Sequence, residues 1–106
     1  MIKKPWGSET ILECNGKYVL KKIEMKEGHR CSLQYHEKKK ETVYVLEGTI
    51  IVILNGKDIM MVPGDALTIE PLDIHRMEAI NYSVYLEVST PELDDVVRIE
   101  DDYERI

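Results

Sequence analysis

The chain has 106 residues, which corresponds to one domain of ordinary size. Apolar residues make up 43% of it, enough for one hydrophobic core, and the net charge is −6. This acidic balance argues against a nucleic-acid partner, because proteins that bind a phosphate backbone usually present a basic face.

The N-terminal arm, residues 1–12, precedes any regular pattern. Its single tryptophan, Trp6, is an apolar anchor that we expect to pack across the folded domain. The opening residues lack the apolar stretch of a signal peptide, and no apolar run reaches the roughly 18 residues that a membrane span needs. Cys14 and Cys31 form neither a disulfide framework nor a CxxC pair. Free thiols fit a reducing compartment, so we expect a cytoplasmic protein without membrane association.

Short apolar runs separated by turn residues fill the core of the chain, from about residue 17 to residue 89. Among the turns, Asn55-Gly56 indicates a tight hairpin, because both central residues of that turn type need positive φ. Regular short strands separated by turns predict an all-β sandwich or barrel. The predicted strands are residues 18–25, 31–36, 42–46, 49–54, 58–62, 66–69, 75–80 and 83–88.

The C-terminal segment, residues 92–106, begins with a predicted strand and ends in an acidic stretch. Asp101 and Asp102 could cap a short helical turn that contains Tyr103 and Arg105. We find no linker, internal repeat or low-complexity tract, so residues 1–106 are predicted to form a single domain.

Four polar residues in two sequence blocks carry the functional signal. Gln34, His36 and Glu41 lie in GHRCSLQYHEKKKETVYVLEG, and His75 closes the block PGDALTIEPLDIH. Alternate residues of a strand share a face, so Gln34 and His36 point the same way. Amide, imidazole and carboxylate ligands could surround one divalent cation, and this mixed set suits zinc, iron, manganese, nickel or cobalt. The alternative is a barrel interior whose polar residues satisfy one another.

These two blocks resemble the paired motifs of the cupin superfamily. The second cupin motif runs from Pro-Gly-Asp to a histidine, as it does here from Pro63 to His75. The resemblance implies a jelly roll of two antiparallel sheets with a metal inside its mouth. The first cupin motif, Gly-x5-His-x-His-x3-4-Glu-x6-Gly, is matched by Gly28, Gln34 in place of the first histidine, His36, Glu41 and Gly48.

The segments KPWGSE, PLDIHRMEA and VVRIEDDYER narrow the resemblance to the type II mannose-6-phosphate isomerase family. A Gln-x-His sequence in place of His-x-His is typical of phosphomannose isomerases. The family implies reversible conversion of mannose 6-phosphate to fructose 6-phosphate with a divalent metal. Its cupin usually follows a guanylyltransferase domain in one longer polypeptide, so a separate nucleotidyltransferase is a candidate partner here. Cupins often dimerise, and we therefore expect a homodimer.

Three positions depart from the family pattern. Lys39 stands where an arginine is common, Thr42 follows Glu41 in place of a histidine, and Glu104 replaces a glycine near the C-terminus. Lys39 is therefore a candidate substrate residue. The alternatives are another metal-dependent cupin enzyme that acts on a sugar phosphate or nucleotide sugar, such as an epimerase, and a non-catalytic sugar-binding cupin.

A sugar phosphate would need cations beside the metal. Arg30 and Ser32 have the parity of Gln34, so we expect them on the same interior face. Arg98 is a further candidate for binding phosphate through paired N–H donors. Arg76 has the opposite parity to its neighbour His75 and is expected on the outside.

Isomerisation also needs a group that moves a proton between C2 and C1 of the sugar. Lys22 and Glu24 share one face of the strand at residues 18–25, and both are candidates. A general base needs hydrogen-bond reach to the proton and a pKa tuned toward neutrality. Lys22 is also a candidate for substrate binding.

Overall fold

Eleven β-strands and no helix make up the computed structural model, which describes all 106 residues. The strands are β1 (Ile2–Lys4), β2 (Gly7–Cys14), β3 (Val19–Met25), β4 (Leu33–Tyr35), β5 (Glu41–Glu47), β6 (Ile50–Leu54), β7 (Lys57–Met61), β8 (Ala66–Ile69), β9 (His75–Ala79), β10 (Ser83–Ser89) and β11 (Val97–Glu100). The structure offers no long apolar helix that could pass through a bilayer.

The strands form two antiparallel sheets that pack face to face. The first sheet has the order β1-β2-β3-β10-β5-β8, and the second has the order β11-β4-β9-β6-β7. Neighbours in the sheets are often distant in the chain, as when β10 lies between β3 and β5. This arrangement confirms the predicted all-β jelly roll. All eight predicted central strands are present, with their ends shifted by at most two residues.

The N-terminal arm differs from the prediction, because it forms two regular strands of the first sheet. β1 pairs with β2, and β2 pairs along β3. Trp6, in the turn between β1 and β2, is buried in the core as the expected anchor. Gly7 follows it with φ 153°, and a side chain there would collide with the carbonyl oxygen of Glu24. Only glycine allows β2 to approach β3 this closely.

The predicted C-terminal helical turn is wrong, although the predicted strand before it exists as β11. After β11 the chain makes a non-helical turn in which Asp101 binds Arg105 through both side-chain oxygens. Asp102 instead binds Arg30, at 2.6 Å. The two carboxylates are therefore engaged by arginine side chains, and the few remaining residues are too short to form a stable helix.

The chain contains one extra residue just before β4, and this changes which face of the second sheet the preceding side chains point to. Gln34 pairs with His75, so an unbroken register would place Arg30 opposite Ala79. Arg30 instead bridges Glu78, which means that one extra residue is accommodated between the two points. Such a bulge reverses the alternation of side chains. It explains why Arg30 and Gln34 lie on opposite faces of the second sheet.

The barrel interior has an apolar half and a polar half. Thirteen buried residues, including Trp6, Ile50, Val52 and Tyr85, form one hydrophobic cluster. Strand β5 joins the two halves, because Val43 and Val45 pack in this cluster while Glu41 on the same face enters the polar half.

Candidate metal centre and substrate cavity

Three side chains from three strands or strand ends converge in the polar half of the barrel. Glu41 Oε1 lies 3.2 Å from His75 Nε2 and 3.4 Å from His36 Nε2. Glu41 begins β5 in the first sheet, whereas His75 begins β9 and His36 directly follows β4 in the second. All three residues are buried, at 2% exposure or less. The sheets therefore bring together three of the four predicted ligands.

Backbone carbonyls orient both imidazoles toward the same point. The Nδ1 atom of His36 lies 2.6 Å from the carbonyl oxygen of Asp95, and that of His75 lies 2.8 Å from the carbonyl oxygen of Asp73. A carbonyl only accepts hydrogen bonds, so each Nδ1 must carry the proton. Each ring can therefore present its Nε2 atom to a metal ion, which is the arrangement seen in histidine metal ligands.

The three converging atoms have no hydrogen-bond partner. His36 Nε2, His75 Nε2 and Glu41 Oε1 are all buried and unpaired. Buried polar atoms without partners are costly, at about 1–3 kcal/mol each. Since the ligand atoms of the three residues lie within 4.8 Å of one another, one divalent cation would satisfy all of them. The residues present therefore fit a metal ion of the kind that two imidazoles and a carboxylate bind.

The protonation of Glu41 also suits a cation. Burial alone would raise the pKa of this carboxyl group, but the proton that the rings of His36 and His75 can carry toward it and the ammonium of Lys39 outweigh burial. The pKa lies well below its usual value. The charged form of Glu41 is therefore favoured, and a metal ion would take the place of the protons as its positive partner.

Gln34 lies beside this group but is held differently. It pairs with His75 across the sheet, and its side chain faces a cavity between the two sheets. Its amide oxygen accepts a hydrogen bond of 2.7 Å from the hydroxyl of Ser32. An amide oxygen has a second lone pair, which leaves Gln34 able to act as the fourth ligand. The predicted role of Ser32 toward substrate accordingly includes a contact that orients Gln34.

A cavity of about 310 Å³ lies between the two sheets and the C-terminal segment, and His36 and Gln34 are part of its wall. Its wall combines charged side chains with apolar ones from the hydrophobic cluster, such as Trp6 and Met77. Lys39 lies there, buried at 6% exposure, with Nζ 3.7 Å from Glu41 Oε2. The cavity also contains Arg98, the other predicted substrate cation that reaches it. The remaining charged residues on its walls are Lys4, Glu9, Lys21, Glu87, Asp94 and Arg105.

The interior face of β3 carries Lys21, not the predicted Lys22 and Glu24. Lys21 binds Glu9 at 2.9 Å, and this contact raises the pKa of Lys21 although burial opposes it. Lys22 and Glu24 do share a face, as expected, but that face points away from the cavity, where they lie 3.7 Å apart. Their placement does not support contact with the substrate. The sequence contained a signal for this orientation: Val19 and Ile23 are apolar, and they lie on the same face of the strand as Lys21.

Glu87 is a cavity residue that sequence reasoning missed. It lies on β10 opposite Lys21, in the alternation that also points Tyr85 inward. Burial and the neighbouring carboxylate of Glu41 raise the pKa of Glu87 well above its usual value, although two lysines oppose the shift. A carboxyl group with a raised pKa beside a candidate metal centre is suited to exchange a proton with a ligand.

The predicted interior position of Arg30 is wrong. Its guanidinium binds Asp102, with Glu78 3.8 Å away, on the outer face of the second sheet. Arg76 occupies that outer face too, yet the C-terminal segment buries it, and its Nε donates to the carbonyl of Cys31. The bulge before β4 is the reason that Arg30 lies here, because parity counted back from Gln34 crosses it.

Asp95 connects the C-terminal segment to His36, one of the candidate metal ligands. Its carboxylate accepts hydrogen bonds from the backbone N–H groups of residues 37–39, at 2.7–3.0 Å, and its carbonyl accepts from His36. These backbone hydrogen bonds keep the pKa of Asp95 below its usual value. Nothing in the local sequence marked this residue, since its partners lie more than fifty positions earlier in the chain.

Comparison with known proteins places this architecture in a family. The chain is 30% identical to the alginate biosynthesis protein AlgA of Pseudomonas aeruginosa and 28% identical to the mannose-1-phosphate guanylyltransferase ManC of Salmonella typhimurium. The alignments cover 98% and 99% of the chain but only 23% of either relative. A solved cupin-superfamily sugar phosphate isomerase from Silicibacter pomeroyi superposes with a TM-score of 0.63 at 25% identity, over 70% of this chain and 50% of that one.

The family model described as mannose-6-phosphate isomerase C-terminal matches residues 1–101. This match spans both sheets, the three converging ligands and the C-terminal strand. The fold is that of a cupin, and the chain belongs to the mannose-6-phosphate isomerase C-terminal family.

Proposed function

We propose that this protein is a metal-dependent sugar-phosphate isomerase that interconverts mannose 6-phosphate and fructose 6-phosphate. One observation carries the proposal: three unpaired, buried side-chain atoms converge at one point, and one of the three residues, His36, lines a cavity that also contains five cationic side chains. The family assignment and the sugar phosphate isomerase fold relative support it. The reaction would serve the synthesis of nucleotide-sugar or polysaccharide precursors.

The residues can be assigned to parts of this chemistry. His36, Glu41 and His75 would hold the ion, with Gln34 beside them. A divalent ion bound there supplies Lewis-acid polarisation of the carbonyl and hydroxyl oxygens of the sugar. Lys39 places a positive charge next to the ligands, where it favours negative charge that develops on the sugar.

Proton transfer between C2 and C1 requires a titratable group on the cavity wall. Glu87 and Lys21 occupy the interior faces of β10 and β3 and are opposite each other. We assign proton handling to Glu87, with Lys21 as its charged neighbour, in place of Lys22 and Glu24, which face away. The assignment follows from position, since a catalytic acid or base must come within hydrogen-bond reach of the proton it moves.

The size of the cavity favours a sugar phosphate over a nucleotide sugar. At about 310 Å³, it lies at the lower end of the range for ligand pockets, roughly 300–1,000 Å³. A single phosphorylated sugar suits this volume, whereas a nucleotide sugar adds a base, a ribose and a second phosphate. The homodimer and the separate nucleotidyltransferase partner stay predictions.

The test is a coupled assay that scores fructose 6-phosphate formed from mannose 6-phosphate. The protein is first stripped with chelator and then reconstituted separately with zinc, cobalt, nickel, manganese or iron. We expect turnover that chelation abolishes and at least one of these ions restores. Lys22→Met serves as a control for surface substitution, because this side chain lies outside the cavity. Absence of turnover with every ion, in protein that binds metal stoichiometrically, would reject the isomerase function.

A further inference from the structure

The five cationic side chains of the cavity differ in whether they already have an acidic partner. Lys21 binds Glu9, Lys39 lies beside Glu41, and Arg105 binds Asp101. Arg98 and Lys4 line the same cavity and form neither an ion pair nor a side-chain hydrogen bond. The positive charge available to an incoming anion is therefore concentrated on these two residues, at the side of the cavity near β11 and β1.

Arg98 has a buried donor with nothing to donate to. Its Nε is withdrawn from solvent and unpaired, as are the ligand atoms of the metal centre. An unsatisfied buried donor costs roughly 1–3 kcal/mol, and more when the group is charged. An acceptor that binds in the cavity would satisfy this donor and remove its energetic cost.

The sheet places Arg98 in line with the metal ligands. Arg98 on β11 pairs with Gln34 on β4, and Gln34 pairs with His75 on β9. Neighbouring strands lie about 4.8 Å apart, so the backbone positions of Arg98 and His75 are separated by roughly 10 Å. One small molecule can therefore contact the guanidinium at one end and the metal centre at the other.

We propose that Arg98, assisted by Lys4, is the phosphate-binding subsite of the cavity. The planar guanidinium can donate two parallel hydrogen bonds to phosphate oxygens, and the ammonium adds a second positive charge. The proposal rests on the proposed function in one respect: the phosphate is that of a phosphorylated sugar whose carbonyl end lies toward His36, Glu41 and His75. The subsite determines which end of the sugar enters first.

Other arginines near the cavity are unsuited to this role. Arg105 is held by two hydrogen bonds to Asp101, at 2.6 and 3.1 Å. Arg30 is held by Asp102 outside the cavity. A phosphate would have to displace a carboxylate from either of them, whereas Arg98 has no such competitor. Arg30 accordingly provides a matched control for the loss of one arginine.

The experiment measures binding without turnover. Mannitol 6-phosphate has the phosphate and carbon chain of the substrate but no carbonyl group, so it cannot be isomerised. It is titrated calorimetrically into metal-loaded wild type, Arg98→Met, Arg98→Lys, Lys4→Met, Arg30→Met and Lys22→Met, with inorganic phosphate and mannitol as comparison ligands. Metal stoichiometry and thermal midpoint are recorded for each variant.

We expect mannitol 6-phosphate to bind the wild type more tightly than inorganic phosphate does, and mannitol to bind negligibly. Arg98→Met should lower the affinity for mannitol 6-phosphate by roughly 10- to 100-fold, the range for losing a charge-assisted hydrogen-bond pair. Lys4→Met should weaken it about three- to tenfold, and Arg98→Lys should restore part of the loss, because a lysine keeps the charge without the fork. Arg30→Met and Lys22→Met should bind like the wild type.

Thermal midpoint without ligand provides a second readout. Methionine at position 98 removes an unpaired buried donor, so Arg98→Met should be as stable as the wild type or more stable. A variant that had lost phosphate affinity through unfolding would show the opposite. Unchanged metal stoichiometry would locate the loss at the phosphate end of the cavity.

Three outcomes would overturn the subsite: equal affinity of wild type and Arg98→Met, no binding of mannitol 6-phosphate to metal-loaded wild type, or equal affinity for inorganic phosphate and mannitol 6-phosphate. The last outcome would indicate an anion site without a sugar. Failure of the isomerase assay is a separate result. If mannitol 6-phosphate binds through Arg98 but mannose 6-phosphate is not turned over, the phosphate-binding subsite is supported and the proposed isomerase reaction is rejected.

Discussion

The two halves of the barrel interior share strands, yet one half contains buried apolar side chains and the other contains buried polar side chains. In the apolar half, Val43, Val45 and Val52 are fully buried, and their side chains have no polar atom that needs a hydrogen-bond partner. In the polar half, His36, Glu41 and His75 are buried just as completely but retain three unpaired polar atoms. Strand β5 supplies residues to both halves from one face.

This difference shows where stability is gained and where it is given up. Burial of apolar surface contributes about 25 cal/mol per Å², so the hydrophobic cluster supplies the stability of the fold. The unpaired atoms of the candidate metal centre reduce the stability of the fold, and a bound cation would restore it. A rigid apolar half thus allows a strained polar half to persist. Substitutions in the two halves should consequently separate stability from metal affinity.

The largest effect is expected for His75→Ala, which removes one of the three converging ligands. We expect metal affinity to fall by more than about 100-fold, beyond the 10- to 100-fold typical of residues that only support a ligand. The folded β-structure should survive, because the hydrophobic cluster is untouched. Metal content after dialysis and circular dichroism would check both statements. Stoichiometric metal in the dialysed variant would contradict the site assignment.

The counterpart in the apolar half is Ile50→Ala. Ile50 is fully buried in the hydrophobic cluster, so its truncation should lower the free energy of unfolding by about 2–5 kcal/mol. Metal affinity of the folded variant should stay within about twofold of the wild type. Urea unfolding is measured in chelator, since bound metal would itself add stability. A large loss of metal affinity here would show that the two halves are not separable.

Acid should weaken the tail that covers the polar half before it affects the apolar half. Arg105 lowers the pKa of Asp101 from an ordinary 3.8 to about 2. Because folding lowers this pKa, the contribution to stability is complete above the unfolded value and disappears as pH falls from 3.8 toward 2. The stability of wild type relative to Asp101→Asn should therefore decline over that range. A pH-independent difference between the two proteins would argue against the ion pair.

Asp95→Ala tests whether the C-terminal segment supports the metal centre. Loss of its three backbone hydrogen bonds should loosen residues 37–39 and displace the carbonyl that orients His36. We expect metal affinity to fall roughly tenfold, the lower end for residues that support a ligand. Asp58→Ala, on exposed β7, is the matched control. Equal metal affinity in the two variants would confine the role of Asp95 to the tail.

The smallest effect is expected at Glu104, where the family commonly has glycine. Glu104 adopts φ 58°, in the left-handed region that favours glycine. Glu104→Gly should relieve this backbone strain and raise the free energy of unfolding by about 0.5–1 kcal/mol. Metal affinity should not change, because Glu104 touches none of the ligands. A decrease in stability on chemical unfolding would show that Glu104 makes a stabilising contact that outweighs the strain.

Much of the architecture was predictable because it follows from local patterns. Alternating apolar residues and turn residues identified the eight central strands, and the hairpin at Asn55-Gly56 formed between β6 and β7. The spacing of His36, Glu41 and His75 identified the three residues that converge. Parity of side chains failed in two places: at the bulge that turned Arg30 outward, and in β3, where Lys22 was preferred to Lys21.

By itself, the sequence determined the fold class and the central strands, because both depend on residue types at short, regular spacing. Its two motif blocks also contained the three residues that converge, His36, Glu41 and His75. Only the tertiary structure decided that residues 1–12 join the first sheet, that Lys21 and Glu87 face each other, and that Asp95 supports His36. These contacts join positions far apart in the chain. Their existence depends on sheet order and register, which no local pattern encodes.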